Sequence, residues 1–384
     1  MDPAKTTCIE DLRRLAEKRV PRMFYQYADS GSWTESTYRA NEGDFGRILF
    51  RQRVAVDMSV RNLATTMLGE AVSMPVALAP TGFTGMQHAD GEMHAAMAAK
   101  KAGVPFTLST MSICSIDEDV ARHTGAPFWF QLYVRKDREF ARKLIDRAKA
   151  AGCSALVVTL DLQVLGQRHN DLRNGLSAPP RLTLCNIANM MTKPRWCLGM
   201  LGTRRHGFGN VMGYAAGVKT LRDASDWVSS QHDPSFNWSD ISWIRERWGG
   251  KLILKGILDP EDALLAVKAG ADAIVVSNHG GRQLDGAPST ISMLPKIVAA
   301  VGDAAEVHLD GGIRSGQDVL RAIALGAKGT YIGRAFLYGL GAGGEAGVTR
   351  ALDIIRKELD VTMGLCGETD IRRVDRRILA ENPF

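Results

Sequence analysis

The sequence lacks any apolar run near the roughly 18 residues that a membrane-spanning helix needs, which argues against a spanning segment. No apolar stretch follows Met1 to Lys5, so we expect no signal peptide and a cytoplasmic protein. The six cysteines include no C-x-x-C pair, and a disulfide framework is not expected. No residues have the spacing of zinc ligands, so we expect no metal.

The composition is that of an ordinary globular protein, with 45% hydrophobic and 23% charged residues, which excludes a disordered or fibrous chain. The net charge of +6 favours anionic partners, namely phosphate groups, carboxylate substrates or an anionic membrane surface. We expect no nucleic-acid partner.

One pattern recurs along the chain: a helix that ends in glycine, followed by a short apolar strand. Its copies are residues 99–106, 148–158, 266–276 and 322–332. Glycine adopts the left-handed conformation at a helix end without a Cβ penalty. Apolar runs without alternation indicate strands buried on both faces of a parallel sheet.

Eight such strands are predicted, at residues 76–79, 106–109, 128–133, 155–161, 252–255, 273–277, 306–310 and 330–333. Eight units of similar length favour a (β/α)8 TIM barrel over a doubly wound sheet, the alternative. We interpret residues 1–384 as a single domain with an N-terminal helical cap (1–70) and a barrel (71–384). Residues 175–215 are predicted to form a long insertion loop after strand four.

Polar or glycine-rich residues follow most of these strands, at the ends that meet at one mouth of a barrel. His279, just past strand six, suits a general base, and Asp161, past strand four, could orient it. Arg168 and Arg282 could hold a substrate carboxylate. The other histidines are assigned surface or satisfied-core roles; they are His88, His94, His123, His169, His206, His232 and His308.

Glycines after the last two strands fit the phosphate site of such barrels. Asp310-Gly311-Gly312 follows strand seven, and Gly333-Arg334 follows strand eight. Backbone N–H groups of glycines can approach a phosphate, and an arginine can fork onto its oxygens.

Residues 277–285, together with 129–133 and 254–256, resemble the FMN-dependent L-2-hydroxy acid dehydrogenases and oxidases. The resemblance extends from Leu12 to about Arg377, and residues 233–238 and 256–262 look closest to the bacterial respiratory lactate and the (S)-mandelate dehydrogenases. It implies FMN as cofactor and oxidation of an (S)-2-hydroxy acid to a 2-oxo acid. It also implies a homo-oligomer, a tetramer by family resemblance.

The resemblance implies a role for each matching residue. His279 is the base with Asp161 as its partner, Tyr133 bonds the substrate hydroxyl, and Lys255 lies at the flavin N1–O2 edge. The substrate carboxylate is bound by Tyr27, Arg168 and Arg282. The residues lining the flavin ring are Pro80, Thr81, Gly82, Ser109, Gln131, Thr159 and Ser277. The residues holding the ribityl phosphate are Asp310, Gly312, Arg314, Gly333 and Arg334.

Two positions depart from glycolate oxidase: Gly82 replaces an alanine beside the flavin, and Met111 replaces a tryptophan over the substrate side chain. Both changes open space for acids larger than glycolate, and Gly82 favours the dehydrogenase branch. Electrons would then pass to a quinone or cytochrome; an oxidase releasing hydrogen peroxide is the alternative.

An alternative from another class is an FMN-barrel isomerase acting on a diphosphate. Such an enzyme needs neither a His–Asp base nor a carboxylate-binding arginine pair, both of which are predicted here. A non-catalytic, flavin-binding membrane partner is the remaining alternative.

The predicted insertion, residues 175–215, mixes apolar and basic residues and is poor in acids. It contains residues 179–182 and 187–191. Trp196 follows, with Lys193 and Arg195 before it and Arg204 and Arg205 after it. This composition suits an interfacial segment on anionic lipid, at the cytoplasmic face of the inner membrane. In the family, the corresponding segment contacts the membrane in mandelate dehydrogenase. A lid over the active site or a subunit contact are the alternatives.

Overall fold

A computed structural model describes residues 2–176, 183–215, 217–218 and 220–384. Eight parallel strands form its centre: β1 (Val76–Leu78), β2 (Thr107–Ser109), β3 (Trp129–Leu132), β4 (Ala155–Thr159), β5 (Lys251–Ile257), β6 (Ala273–Val276), β7 (Glu306–Asp310) and β8 (Gly329–Ile332). Hydrogen bonds join them in the order β1-β8-β7-β6-β5-β4-β3-β2. A parallel bridge between Leu78 and Phe106 closes the ring between β1 and the start of β2. The predicted barrel is confirmed, and the doubly wound alternative is excluded.

The barrel interior is packed with side chains from alternate strand positions. Small residues such as Ala77, Ala155 and Ala273 leave room for the large rings of Trp129 and Tyr331. A hairpin of two short strands, Thr65–Met67 and Glu70–Val72, contributes to the same core. Since these side chains fill the barrel interior, we expect ligands to bind at the carboxyl-terminal ends of the strands.

Helices surround the barrel and separate its strands. They are Gly91–Ala102, Arg122–Thr124, Arg138–Ala150, Ile241–Trp248, Pro260–Lys268, Thr290–Val301, Gly316–Ala324 and Arg334–Leu365. The repeated glycines Gly103, Gly152, Gly270 and Gly326 all have positive φ, as the pattern predicts. Within the described ranges, none of the helices is both long and apolar enough to cross a membrane.

The N-terminal segment is only partly helical. Its helices are Ile9–Arg19, Arg22–Asp29 and Ser36–Gly43, after which the chain forms the strand Leu49–Phe50 and the hairpin described above. Leu49–Phe50 pairs antiparallel with Leu379–Glu381. The expectation of a helical cap over 1–70 therefore needs correction beyond residue 47, where irregular chain and short strands take the place of helix.

Asparagine and aspartate side chains attach this cap to the barrel mouth. The Asn41 and Asn278 amides donate to each other's oxygens at 2.8 and 2.9 Å. The Asp285 carboxylate accepts from the backbone and hydroxyl of Thr34, and from Ser36 and Thr37. The third cap helix, Ser36–Gly43, is thereby tied to the barrel mouth at its start and along its length.

The long connection after β4 contains helices His169–Arg173, Leu184–Met191, Pro194–Gly202 and Leu221–Ser230. The insertion predicted as a loop over 175–215 thus forms two short helices, because apolar residues recur at helical spacing there and Thr183 caps the first. Residues 177–182, which include the predicted 179–182, lie outside the described residues.

Candidate active site

One cavity opens at the carboxyl ends of the strands, beneath the cap, and it gathers most of the residues predicted from the sequence. Those lining it are Tyr27, Pro80, Thr81, Gly82, Tyr133, Arg168, Lys255, His279, Arg282, Asp310, Gly312, Arg314, Gly333 and Arg334. The other predicted residues lie at the strand ends just behind the lining; they are Ser109, Gln131, Thr159, Asp161 and Ser277. Residues scattered over three hundred positions therefore meet at one site.

His279 and Asp161 form a hydrogen-bonded pair, with 2.9 Å between His279 Nδ1 and Asp161 Oδ1. His279 has a left-handed backbone, with φ of 59°, a strained conformation that clusters at functional sites. Burial lowers the pKa of His279, and the charges of Lys255 and Arg168 add to this against the attraction of Asp161. The imidazole is therefore neutral at pH 7, with Nδ1–H directed at Asp161 and Nε2 left to accept a proton.

Lys255 lies at the centre of a buried charged cluster. Its ammonium is 2.7 Å from Asp310 Oδ2 and donates to the Ser277 hydroxyl at 2.8 Å. Burial acts to lower the pKa of Lys255, but the charges of Asp310 and Asp161 outweigh it and raise the pKa. The Ser277 hydroxyl donates to Asp310, so the cluster holds a positive charge in a fixed place.

Arg168 and Arg282 both make a long, weak contact with the carboxylate of Asp171. Arg168 Nη1 and Arg282 Nη2 lie 3.9 and 3.8 Å from the same oxygen of Asp171. Arg282 also donates to the carbonyls of Tyr27 and Ser30, and its guanidinium carbon lies 4.6 Å from the Tyr27 ring centroid. Arg282 Nη2 is buried without a hydrogen bond, so the pair retains donors for an incoming carboxylate.

Unused polar atoms that suit a flat heterocycle lie at the strand ends behind the cavity lining. Gln131 Nε2 and Thr159 Oγ1 are buried and have no hydrogen-bond partner, although buried polar groups are usually paired. Gln131 is held in place from its other side, where Oε1 accepts from the Ser109 hydroxyl at 3.0 Å. These orphaned atoms, beside the charged Lys255, fit a flavin ring with its polar edge. In the described part of the chain, no cluster of His, Cys, Asp or Glu is placed to hold a metal.

The predicted phosphate residues form a second part of the cavity wall. Gly312 must be glycine, since a Cβ there would lie 1.9 Å from the Asn41 carbonyl oxygen. Arg314 contacts Glu42 at 2.5 Å and keeps part of its guanidinium toward the cavity. Arg334 donates to the carbonyls of Ala28, Ser30 and Gly280, so it also ties the cap to the barrel.

Sequence reasoning missed several residues of the cavity wall, among them Arg135 and His232. Arg135 Nη1 lies 3.3 Å from His232 Nδ1, and Nη2 donates to the Met111 sulfur at 3.6 Å. His232 was assigned a surface or satisfied-core role, yet it faces the site. Arg135 lies beyond the end of β3, and nothing in the sequence distinguishes it from a surface arginine.

Comparison with known proteins gives relatives over nearly the whole chain. The family model described as FMN-dependent dehydrogenase matches residues 16–381. The L-lactate dehydrogenase of Caulobacter vibrioides is 48% identical over 373 residues, covering 97% of each chain. That of Ectopseudomonas mendocina is 47% identical, covering 97% of this chain and 98% of the relative.

Solved structures show the same architecture. The monotopic membrane protein (S)-mandelate dehydrogenase superimposes with a TM-score of 0.94 at 38% identity, over 98% of this chain and all of the other. A soluble mutant of the membrane-associated (S)-mandelate dehydrogenase from Pseudomonas putida gives 0.83 at 37% identity, with 98% and 100% coverage. The chain belongs to the FMN-dependent dehydrogenase family.

Proposed function

We propose that this enzyme oxidises an (S)-2-hydroxy acid to the 2-oxo acid. The observation that carries the proposal is the neutral His279, oriented by Asp161, beside the two arginines in one cavity. Relatives named for L-lactate and (S)-mandelate support this substrate class. FMN, when bound, supplies the acceptor for the two electrons that leave the substrate.

The chain's own residues bind the acid and accept its proton. Arg168 and Arg282 fork onto the substrate carboxylate and fix the α-carbon near His279. Burial raises the pKa of Tyr133, so its phenol stays protonated and donates to the substrate oxygen. His279 Nε2 accepts a proton from the substrate, either from the α-carbon or from the hydroxyl, and Asp161 stabilises the imidazolium that results. This holds whether the α-hydrogen leaves as a proton or as a hydride.

A second group of residues would hold FMN. The ring would meet the strand-end residues, namely Pro80, Thr81, Gly82, Ser109, Gln131, Thr159 and Ser277. Lys255, kept charged by Asp310, would stabilise negative charge on the ring edge. The phosphate would lie against Gly312, Arg314, Gly333 and Arg334, within the reach of two arginines.

The test is turnover of a panel of (S)-2-hydroxy acids with a soluble dye as electron acceptor. We expect one molecule of 2-oxo acid to form for each molecule of a two-electron dye that is reduced. Turnover of a diphosphate without dye reduction would instead support the isomerase. Flavin retention with no turnover of either substrate would support a non-catalytic flavin protein.

We propose that a quinone or cytochrome, rather than oxygen, takes the electrons from the reduced enzyme. Support comes from Gly82 at the cavity wall, which the resemblance associates with the dehydrogenase branch, and from relatives named as dehydrogenases. Oxygen uptake during turnover would be slow compared with quinone reduction. Stoichiometric hydrogen peroxide at the dye-dependent rate would establish the oxidase instead.

We also propose peripheral membrane attachment through the two insertion helices, at the cytoplasmic face of the inner membrane. Leu184, Met191, Leu198 and Leu201 on these helices are all at least 70% exposed, an arrangement suited to insertion into the lipid interface. The monotopic mandelate dehydrogenase supports this proposal.

Some of the predicted membrane-binding groups have other partners. Trp196 stacks on Phe24 and donates to the Met86 carbonyl, so it anchors the insertion to the protein instead of facing lipid. Arg205 pairs with Asp119 and Asp90. Exposed leucines, with Arg195 and Arg204, are therefore the groups left for the bilayer.

Co-sedimentation with anionic liposomes tests the attachment. The double variant Leu184→Ser/Leu201→Ser should lose binding that resists high salt, while Leu264→Ser, exposed on a barrel helix, serves as the matched control. Equal sedimentation of all three proteins would contradict a membrane role. If only the double variant loses turnover with the dye, the result would support the alternative that the insertion is a lid over the active site.

Finally, we propose that residues 1–384 act as one domain that assembles into a homotetramer. The family match over 16–381 supports the first part, and the family resemblance supports the second. Light scattering after gel filtration should give four times the chain mass of 41.8 kDa. A monomeric mass with full activity would contradict the tetramer.

A further inference from the structure

Arg135 is a buried cation without a counter-charge. Its side chain reaches the cavity wall, yet the residue is only 3% exposed, and its Nε has no hydrogen-bond partner. No acidic group among the described residues pairs with it, and residues 177–182, 216 and 219 include no Asp or Glu. Burying an unpaired charge costs stability, so an unpaired buried guanidinium at a cavity needs an explanation, and a ligand or a functional role can provide one.

The neighbours of Arg135 do not supply the missing charge. Burial and the charge of Arg135 lower the pKa of His232 to about 4, so this imidazole is neutral and offers Arg135 only the lone pair of Nδ1. The Met111 sulfur is a weak acceptor, and the Tyr133 ring lies 5.3 Å from the guanidinium carbon. Burial also lowers the pKa of Arg135 to about 10, which leaves it charged at pH 7.

Arg135 is separate from the arginine pair that would bind the substrate carboxylate. Arg168 and Arg282 contact Asp171, whereas Arg135 contacts Met111 and His232. The wall of the same cavity also includes apolar side chains, among them Leu162 and Val228. All three arginines line the same cavity, so the side chain of a substrate held by its carboxylate at Arg168 and Arg282 would occupy a space that Arg135 also borders.

We infer that the preferred substrate is a 2-hydroxy dicarboxylic acid, whose second carboxylate binds Arg135. This rests on the proposed function and specifies its substrate class. A planar guanidinium can donate two parallel hydrogen bonds to a carboxylate, which would satisfy the unpaired Nε. Met111, in place of a bulkier ring, leaves room for the longer chain.

The test is anaerobic flavin reduction with acids matched in chain length. The pairs are (S)-2-hydroxybutanedioate with (S)-2-hydroxybutanoate, and (S)-2-hydroxypentanedioate with (S)-2-hydroxypentanoate. We expect at least one dicarboxylate to have the higher kcat/KM. Arg135→Met should reduce the dicarboxylate-to-monocarboxylate ratio about thirtyfold, the lower range for breaking a buried charge pair. Arg135→Lys should lose less, and Arg142→Met, on the following helix, should keep the wild-type ratio.

A binding measurement complements the kinetics. Calorimetric titration with the 2-oxo dicarboxylate should show tight binding to the wild-type holoenzyme and weak binding to Arg135→Met. Monocarboxylates that react as well as dicarboxylates in the wild type, or an unchanged ratio in Arg135→Met, would overturn this inference and leave the proposed function intact. Failure of every 2-hydroxy acid to reduce the flavin would overturn the proposed function itself.

Discussion

Replacing His279 with glutamine removes the proton acceptor while keeping a side chain that can still reach Asp161. General-base catalysis is typically worth about 10²–10⁴ in rate. That range corresponds to about 3–5 kcal/mol of transition-state stabilisation. His279 is the only histidine paired with a buried carboxylate at the cavity among the described residues, so no neighbouring imidazole can substitute for it. We therefore expect His279→Gln to lose at least two orders of magnitude in flavin reduction.

The assay is stopped-flow absorbance of the flavin under nitrogen, at saturating substrate. The flavin content of the variant is measured first; FMN should remain bound, because His279 is not among the residues proposed to hold it. His123→Gln, on the exposed surface, is the matched control. Reduction within threefold of wild type in His279→Gln would refute the assignment of the base.

The remaining predictions concern the substrate clamp, the cavity wall, the pH profile and the cap. Arg282→Lys should lower kcat/KM about tenfold or more, because an ammonium cannot bond two cap carbonyls and a carboxylate in one plane; steady-state kinetics measures it. Gly82→Ala should shift preference toward smaller acids, since the new Cβ would lie 3.1 Å from the Met111 Cβ and 3.5 Å from the Tyr27 hydroxyl; a substrate panel checks the ranking. As the pH is lowered, kcat/KM should begin to decline only below pH 6.5, the ordinary pKa of histidine. The reason is that burial lowers the pKa of His279 and only its neutral form accepts a proton. Asp285→Asn should cost about 2 kcal/mol in denaturant unfolding, as its carboxylate accepts four bonds from the cap. The hydrogen bonds keep the pKa of Asp285 well below its usual value although burial opposes them, so this stabilisation is present above pH 3.8 and is lost only in stronger acid.

Strand content was predictable because a barrel imposes a simple pattern. Each buried strand reads as an unbroken apolar run, and each glycine after a helix marks a fixed turn, so the eight strands were identified within a few residues. The ends were less certain: β5 extends to Ile257 through a register shift that apolarity alone does not mark. The hairpin Thr65–Met67/Glu70–Val72 was missed because its strands are only three residues long.

The site was predictable where its residues follow strands, and less so where function depends on packing. His279, Lys255 and Asp310 follow from their positions at strand ends. The inward position of Trp196 depends on Phe24, a contact between distant segments that composition cannot show. Arg135 drew no notice because an arginine is ordinary on a surface, and only its burial without an acid makes it informative.

The most direct test of the central claim is anaerobic titration of the FMN-loaded enzyme with the separate enantiomers of one 2-hydroxy acid. The predicted result is full loss of the oxidised-flavin absorbance with the (S)-acid, one 2-oxo acid formed per flavin, and little change with the (R)-acid. An oxidised spectrum that persists with every (S)-2-hydroxy acid, or equal reduction by both enantiomers, would contradict the account.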